Sequence, residues 1–451
     1  MGITRRQALA GTAGAVAGAA GISALVDRHA SPPERAAAPS SLPPEQHLLD
    51  GVQLITDNGV EVLVPPLHHA VVTGTVAAAD LPKARAGLED ALRELESRFP
   101  ATPAGLGITV AWGLPYFRRH VAAQWERLQP LDVRARKPAL LDAIRFPSDP
   151  SDIELEGNDV AVLLRSDSEA AIAEAEKLLF EDLGVFAKTT VRRGFAGGGL
   201  PRTLALEAGI RGADLIPEKA ELFLGFTSTL KDNLGPSRIA NLETLGLARI
   251  PQGYFRHGTH MHLSHIHENL EKWYVNTSHK GRVQTTFRPG LEVPEGTLTV
   301  AQGRDEISSA ADVRRGYRAH GAIGHTGALQ TASRLARRQI GPDGTVYAAG
   351  TAIPQRADFN TLDNPFAWSA AGTESADPAA GVHFVVFNPT SDDFHRVRNA
   401  MDGVLPDGTT LVFDPRAEGQ GFNSVLLTTR RQNFLVPPRA RRSFPLSELR
   451  S

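Results

Sequence analysis

DVAVLLRSDSEAAIAEAEKLLFEDLGVFAKTTVR, residues 159–192, passes from a short apolar run to helical spacing and back again. The uninterrupted apolar run Val160 to Leu164, between Asp159 and Arg165, predicts a strand over 159–165. Ser168 then stands at an N-cap position, ahead of alanines and leucines that repeat at helical spacing through Leu183. Residues 185–192 read as a further strand. Outward toward the N-terminus the same grammar recurs. An apolar run at 69–77 is followed by Asp80, which caps a helix to about residue 99 with Leu88, Leu92 and Leu95 on one face. Residues 108–114 read as another strand, and 119–150, with Pro130, Pro138, Pro147 and much charge, as an irregular excursion. The order is β-α-β-β-α-β.

That order is the ferredoxin-like split unit. The second half of the chain repeats it less regularly: a strand at 258–266, a helix opening at Glu268, a long middle, a strand at 382–387 and a helix from Ser391 to about residue 401. The expected fold class is therefore α+β, two tandem ferredoxin-like halves with antiparallel sheets, spanning 67–210 and 211–451. Between them the Gly-rich 194–199 reads as a turn; no helix is expected to open on it, which argues against a phosphate loop.

One stretch departs from this grammar. In FRHGTHMHLSHIHENLEKWY, residues 255–274, five of the chain's 15 histidines fall within eleven positions. His257, His260, His262 and His265, with Met261, offer the nitrogen and thioether donors that suit copper or zinc. The other reading is a polar strand edge whose imidazoles meet water and backbone. Strand alternation puts His260 and His262 on one face and Met261, Leu263 and His265 on the other, so convergence on one ion needs a kink.

The composition bounds what else the chain does. Of 451 residues, 48 are basic and 50 acidic, a balance that gives no electrostatic footprint for nucleic acid. Cysteine is absent, so any metal must use His, Met, Tyr or carboxylates. Thr4-Arg5-Arg6-Gln7 precedes a mildly apolar Ala/Gly run to Val26, with small residues near Ala30 and at Ala36 to Ala38. This resembles a twin-arginine export signal over 1–38, followed by a Pro-rich linker over 39–66, with 31–45 expected to be disordered. The run is too short to remain as a membrane span, and the expected destination is secreted or periplasmic, by way of the twin-arginine translocase.

Across 67–403 the chain resembles the dye-decolorizing peroxidase family in ordered stretches: GITVAWG at 107–113, DVAVLL at 159–164, TVRRGF at 190–195, LGF at 224–226, Gly258-Thr259, and GVHFVVF at 381–387. The resemblance implies a dimeric α+β barrel arrangement, haem b as cofactor, and oxidation of a small organic substrate by peroxide. It implies His325, in Gly324-His325-Thr326-Gly327, as the axial iron ligand, with Arg334 downstream; His320 is the rival. The family's distal loop is Gly-Phe-x-Asp-Gly, but here Gly225-Phe226 is followed by Thr227-Ser228, so Ser228 stands in the place of the acid. Asp232 is the nearest substitute, or else a turn residue. The distal arginine's segment reads Val346-Tyr347-Ala348-Ala349-Gly350, leaving Arg356 as the nearest cation. With both distal groups altered, the alternative is a non-catalytic haem or copper protein on the same fold.

Overall fold

The computed structural model describes residues 21–32, 42–49, 51–57, 60–226, 248–298, 300, 306–340, 346–366, 368–369, 372–373 and 377–449. After a helix α1 (Gly21–His29), the first half runs β1 (His68–Val76), α2 (Leu81–Arg98), β2 (Gly107–Gly113), β3 (Val160–Ser166), α3 (Glu169–Lys177) and β4 (Phe186–Phe195). A helix α4 (Leu200–Glu207) leads out of it. The second half runs β5 (Thr259–Glu268), α5 (His279–Thr286), α6 (Ala310–His320), α7 (His325–Ser333), β6 (Phe359–Thr361), β7 (Gly381–Asn388), α8 (Ser391–Met401) and β8 (Leu426–Val436).

Strand order is β4-β1-β3-β2 in the first half and β8-β5-β7-β6 in the second, so both halves have the split βαββαβ topology that the sequence predicts. Their edge strands meet. β2 pairs with β8 and β4 with β6, closing the eight strands into one antiparallel ring within a larger sheet. Period-two alternation sorts the side chains. Val71, Leu163, Met261, Phe359, Val385 and Phe434 pack together inside the ring. Val72, Val110, Val162 and Leu164 point the other way, where Leu88, Leu92 and Leu95 of α2 cover them. Arg192, opposite Val71 in the register and so on the inner face, is fully buried against Glu156 at 2.5 Å.

The seams between halves are thin. β2 and β8 share two residue pairs, and β4 and β6 share one. The Gln46 amide spans the first seam: its Oε1 accepts from Val110 N at 2.8 Å, and its Nε2 donates to the Val110 and Pro437 carbonyls at 2.8 and 2.9 Å. The linker expectation is thereby corrected, because buried polar groups at an open seam need partners and residues 42–49 supply them. Further along the same linker, Gln53–Asp57 and Val60–Val64 form a hairpin. Residues 33–41 lie outside the description.

Two local expectations also change. No α-helix opens at Glu268; the strand runs to that residue, and one wide π-type turn follows at Glu271–Val275. A helix does open after the Gly-rich turn, at Leu200, with Gly199 in the left-handed region at φ 81. Its first turn holds Pro201, which has no N–H for an anion. Among the described residues no helix is long and apolar enough to cross a membrane.

Candidate functional site

The long crossover from β5 to β6 carries α7, and His325 is its first residue. Gly324 makes that placement possible, since a Cβ there would lie 2.3 Å from the Phe287 carbonyl oxygen. The Gly327 amide donates to the same carbonyl at 2.9 Å and fixes the first turn. The His325 ring sits 4.5 Å from Phe422, tilted by 32°. Its Nδ1 is buried and has no hydrogen-bond partner among the described residues. Burial, then the positive charges of Arg356 and Arg398, pull its pKa down to about 3, so the ring is a neutral donor at any physiological pH. Taken as a whole residue, His325 is half-buried.

At the other end of α7, Arg334 has buried Nε and Nη1 atoms without hydrogen-bond partners among the described residues. Burial pulls its pKa down to about 10. A guanidinium so placed suits an anionic group. His320, the rival ligand, is exposed at the C-terminal end of α6, where a histidine meets the helix dipole.

The Gly225-Phe226 motif reaches the same region from about a hundred residues away. Trp273 Nε1 donates to the Leu224 carbonyl at 2.9 Å, and the Tyr274 hydroxyl to the Phe223 carbonyl at 2.8 Å. Gly225, at φ 85, leaves no room for a side chain, since a Cβ would come within 2.7 Å of the Tyr274 hydroxyl. Phe226 then packs edge-on to Phe287 at 5.3 Å and Trp273 at 6.4 Å, and Trp273 packs on Phe422 at 5.6 Å. A continuous aromatic surface thus joins the Gly225-Phe226 motif to His325. Ser228 and Asp232 lie outside the described residues. Arg356 stands on a short strand beside β7, 56% exposed, with its Nε donating to Asp358 Oδ1 at 3.0 Å.

Sequence reasoning missed Glu268, the last residue of β5. It is buried, its Oε2 has no partner among the described residues, and burial with the nearby Asp358 charge pushes its carboxyl up to about 8. A buried uncompensated carboxyl in this position is protonated at neutral pH. Nothing in the local pattern announces it, because a lone Glu expected to open a helix reads as surface.

The histidine-rich strand is corrected. His257 lies before β5 at φ 72, with Nδ1 3.2 Å from Glu45 Oε1. His260 Nδ1 donates to the Pro389 carbonyl at 2.8 Å. His262 spends both nitrogens, Nδ1 donating to Asn433 Oδ1 and Nε2 accepting from the Ser264 hydroxyl, each at 2.6 Å, while its ring stacks on Phe394 at 3.4 Å. His265 is on the opposite face, 4.3 Å from the His383 ring. Burial holds His260 at about 4 and His262 and His265 well below the ordinary value. His260, His262 and His265 are buried and His257 is half-buried, and among the described residues no group of three or more His, Asp or Glu is placed to hold a metal ion. Strand alternation separates the donors, which is why the expected copper site does not form.

The fold is found among solved structures. The encapsulated DyP-type peroxidase of Mycobacterium smegmatis superposes with a TM-score of 0.50 at 12% identity, covering 84% of this chain and 95% of that one. A DyP-type peroxidase protein of Shewanella oneidensis, described as putative, gives 0.50 at 13%, covering 86% and 96%. A Rhodococcus jostii DypB variant in complex with heme gives 0.48 at 12%, covering 84% and 95%. The two superpositions at a TM-score of 0.50 establish a shared α+β fold. No curated protein matches the chain in sequence. Residues 66–438 match the model of DUF7405, a family of unknown function, and the chain belongs to that family.

Proposed function

We propose that this protein is exported and holds haem, with His325 as axial ligand and Arg334 facing an acidic group of the cofactor, and that it oxidises a small organic substrate with peroxide. The observation that carries the reading is His325 itself, a neutral imidazole with a buried unpartnered nitrogen, on an aromatic surface shared with the Gly225-Phe226 motif. An axial ligand must be deprotonated and unclaimed by the protein, and His325 is both. The two unpartnered Arg334 nitrogens suit the carboxylate edge of such a group. Haem bound there would supply an iron centre able to react with peroxide.

The residues set the rate. Cleaving a peroxide bond needs a proton carrier and a cation beside the developing charge. Ser228 occupies the place of the family's acid, and Arg356 is engaged by Asp358. Turnover is therefore slow. That same pairing of Arg356, with its side chain more than half exposed, favours a second reading in which haem is held without peroxide chemistry.

Purified protein should show a Soret band that His325→Ala abolishes. Protein reconstituted with haem yet showing no Soret shift would end the haem reading. Stoichiometric haem with no peroxide-dependent dye oxidation at any pH would leave the second reading standing alone.

A further inference from the structure

Helix α1 lies within a segment whose composition reads as a removable export leader, yet it is built into the fold. Ile22, Leu25 and Val26 follow the i, i+3, i+4 rule and are buried, Val26 completely, while Ala24, Asp27 and Arg28 face solvent. The buried three share a cluster with Leu67, Phe195, Leu200 and Leu204, filling the groove between β4 and α4. Polar tethers flank that contact. His68 Nε2 lies 2.8 Å from Asp27 Oδ1, and His29 Nε2 lies 2.6 Å from Glu207 Oε1. The Ala30 amide donates to the Val26 carbonyl at 2.9 Å and closes the last turn, where Arg28 and His29 complement the helix dipole. A free leader has no need of an amphipathic face matched to its own protein. Upstream, Ala17-Gly18-Ala19 has the small-x-small pattern of a processing site, as Ala36 to Ala38 does.

We propose that α1 is a permanent strap, and that export processing leaves the chain from Gly21 onward attached to the folded protein. Removal at residues 30–38 would uncover an apolar groove lined by Leu67, Phe195, Leu200 and Leu204. Cutting near Ala19 spares it. The strap is independent of the haem reading and rests on export only for where the chain is cut.

Intact mass and N-terminal sequencing of secreted protein, expressed from the full chain, are expected to place the first residue at or before Gly21. A first residue beyond His29 overturns the proposal. Failure of export altogether shows instead as unprocessed protein in the cells, and the strap is then read in that full-length material. There, Val26→Asp is expected to lower Tm by roughly 4 °C and to speed proteolysis between residues 21 and 67; an unchanged Tm and cleavage pattern overturns the strap. Should that variant fail to accumulate, hydrogen exchange on the unsubstituted protein decides. The Ala30 amide is expected to exchange as slowly as the amides of β4, and exchange at the rate of an unstructured peptide overturns it.

Discussion

Replacing Glu268 with Gln keeps its shape and removes its ability to ionise. In the folded protein the carboxyl is raised from its ordinary 4.5 to about 8, by burial first and the Asp358 charge second. A raised carboxyl binds its proton more tightly folded than unfolded. The stability this contributes is complete below about pH 4.5 and is lost progressively as the pH climbs toward 8. Each pH unit across that window costs about 1.4 kcal/mol, so by pH 7 the parent has lost about 3 kcal/mol that an uncharged amide keeps. Glu268→Gln should therefore be more stable than the parent by about 3 kcal/mol at neutral pH and equal to it near pH 4. Urea unfolding of both proteins across that range measures the difference through the midpoint at constant slope. Parallel stability curves for the two proteins, or a variant less stable at pH 7, would show that the carboxyl is solvated or partnered and refute the reasoning.

Glu156→Gln removes the carboxylate charge 2.5 Å from the fully buried Arg192 and should cost about 3–5 kcal/mol in urea unfolding. Gln46→Ala removes the bridge across the β2–β8 seam; a loss of about 1–3 kcal/mol is expected, with faster hydrogen exchange at the Val110 amide. Gly324→Ala drives a methyl group into the Phe287 carbonyl, so the Soret band should weaken while circular dichroism of the sheet is preserved.

The first half was legible because each element announces itself locally. Asp80 accepts from the Lys83 amide, as its position predicts, and Ser168 from the Ala171 amide, so both helix starts agree with their caps to within a residue. β8 escaped notice. Arg430 and Arg431 interrupt its apolar pattern, and only the structure shows Arg431 paired with Asp149 at 2.5 Å and Arg430 with Glu154. The histidine-rich stretch misled for a related reason: composition reveals how many imidazoles there are, not that Asn433, Ser264 and Pro389 claim them. Gln46 looked like linker because its partners, Val110 and Pro437, are distant in sequence. His325 depended on resemblance, since no periodicity distinguishes a helix-opening histidine from a surface one. The aromatic surface behind it is drawn from Phe226, Trp273, Phe287 and Phe422, and no local window contains it.

The ring's two seams are held by three backbone pairs, whereas the ladder between β1 and β3 alone has seven. Ring closure is therefore expected to come late in the chain's assembly. Residues 68–195 complete a four-strand sheet with both covering helices before any residue of the second half is required, and the short-range pairings form ahead of the long loop closures. During synthesis the first half waits with β2 and β4 as open edges, the templates to which another copy's β6 or β8 can add. A chain of this architecture therefore has a built-in route to exchanged dimers, in which each molecule's second half completes its neighbour's ring. The side-chain bridge from Gln46, supplied from the first half's own N-terminal side, covers one of those edges while the other half is still being made.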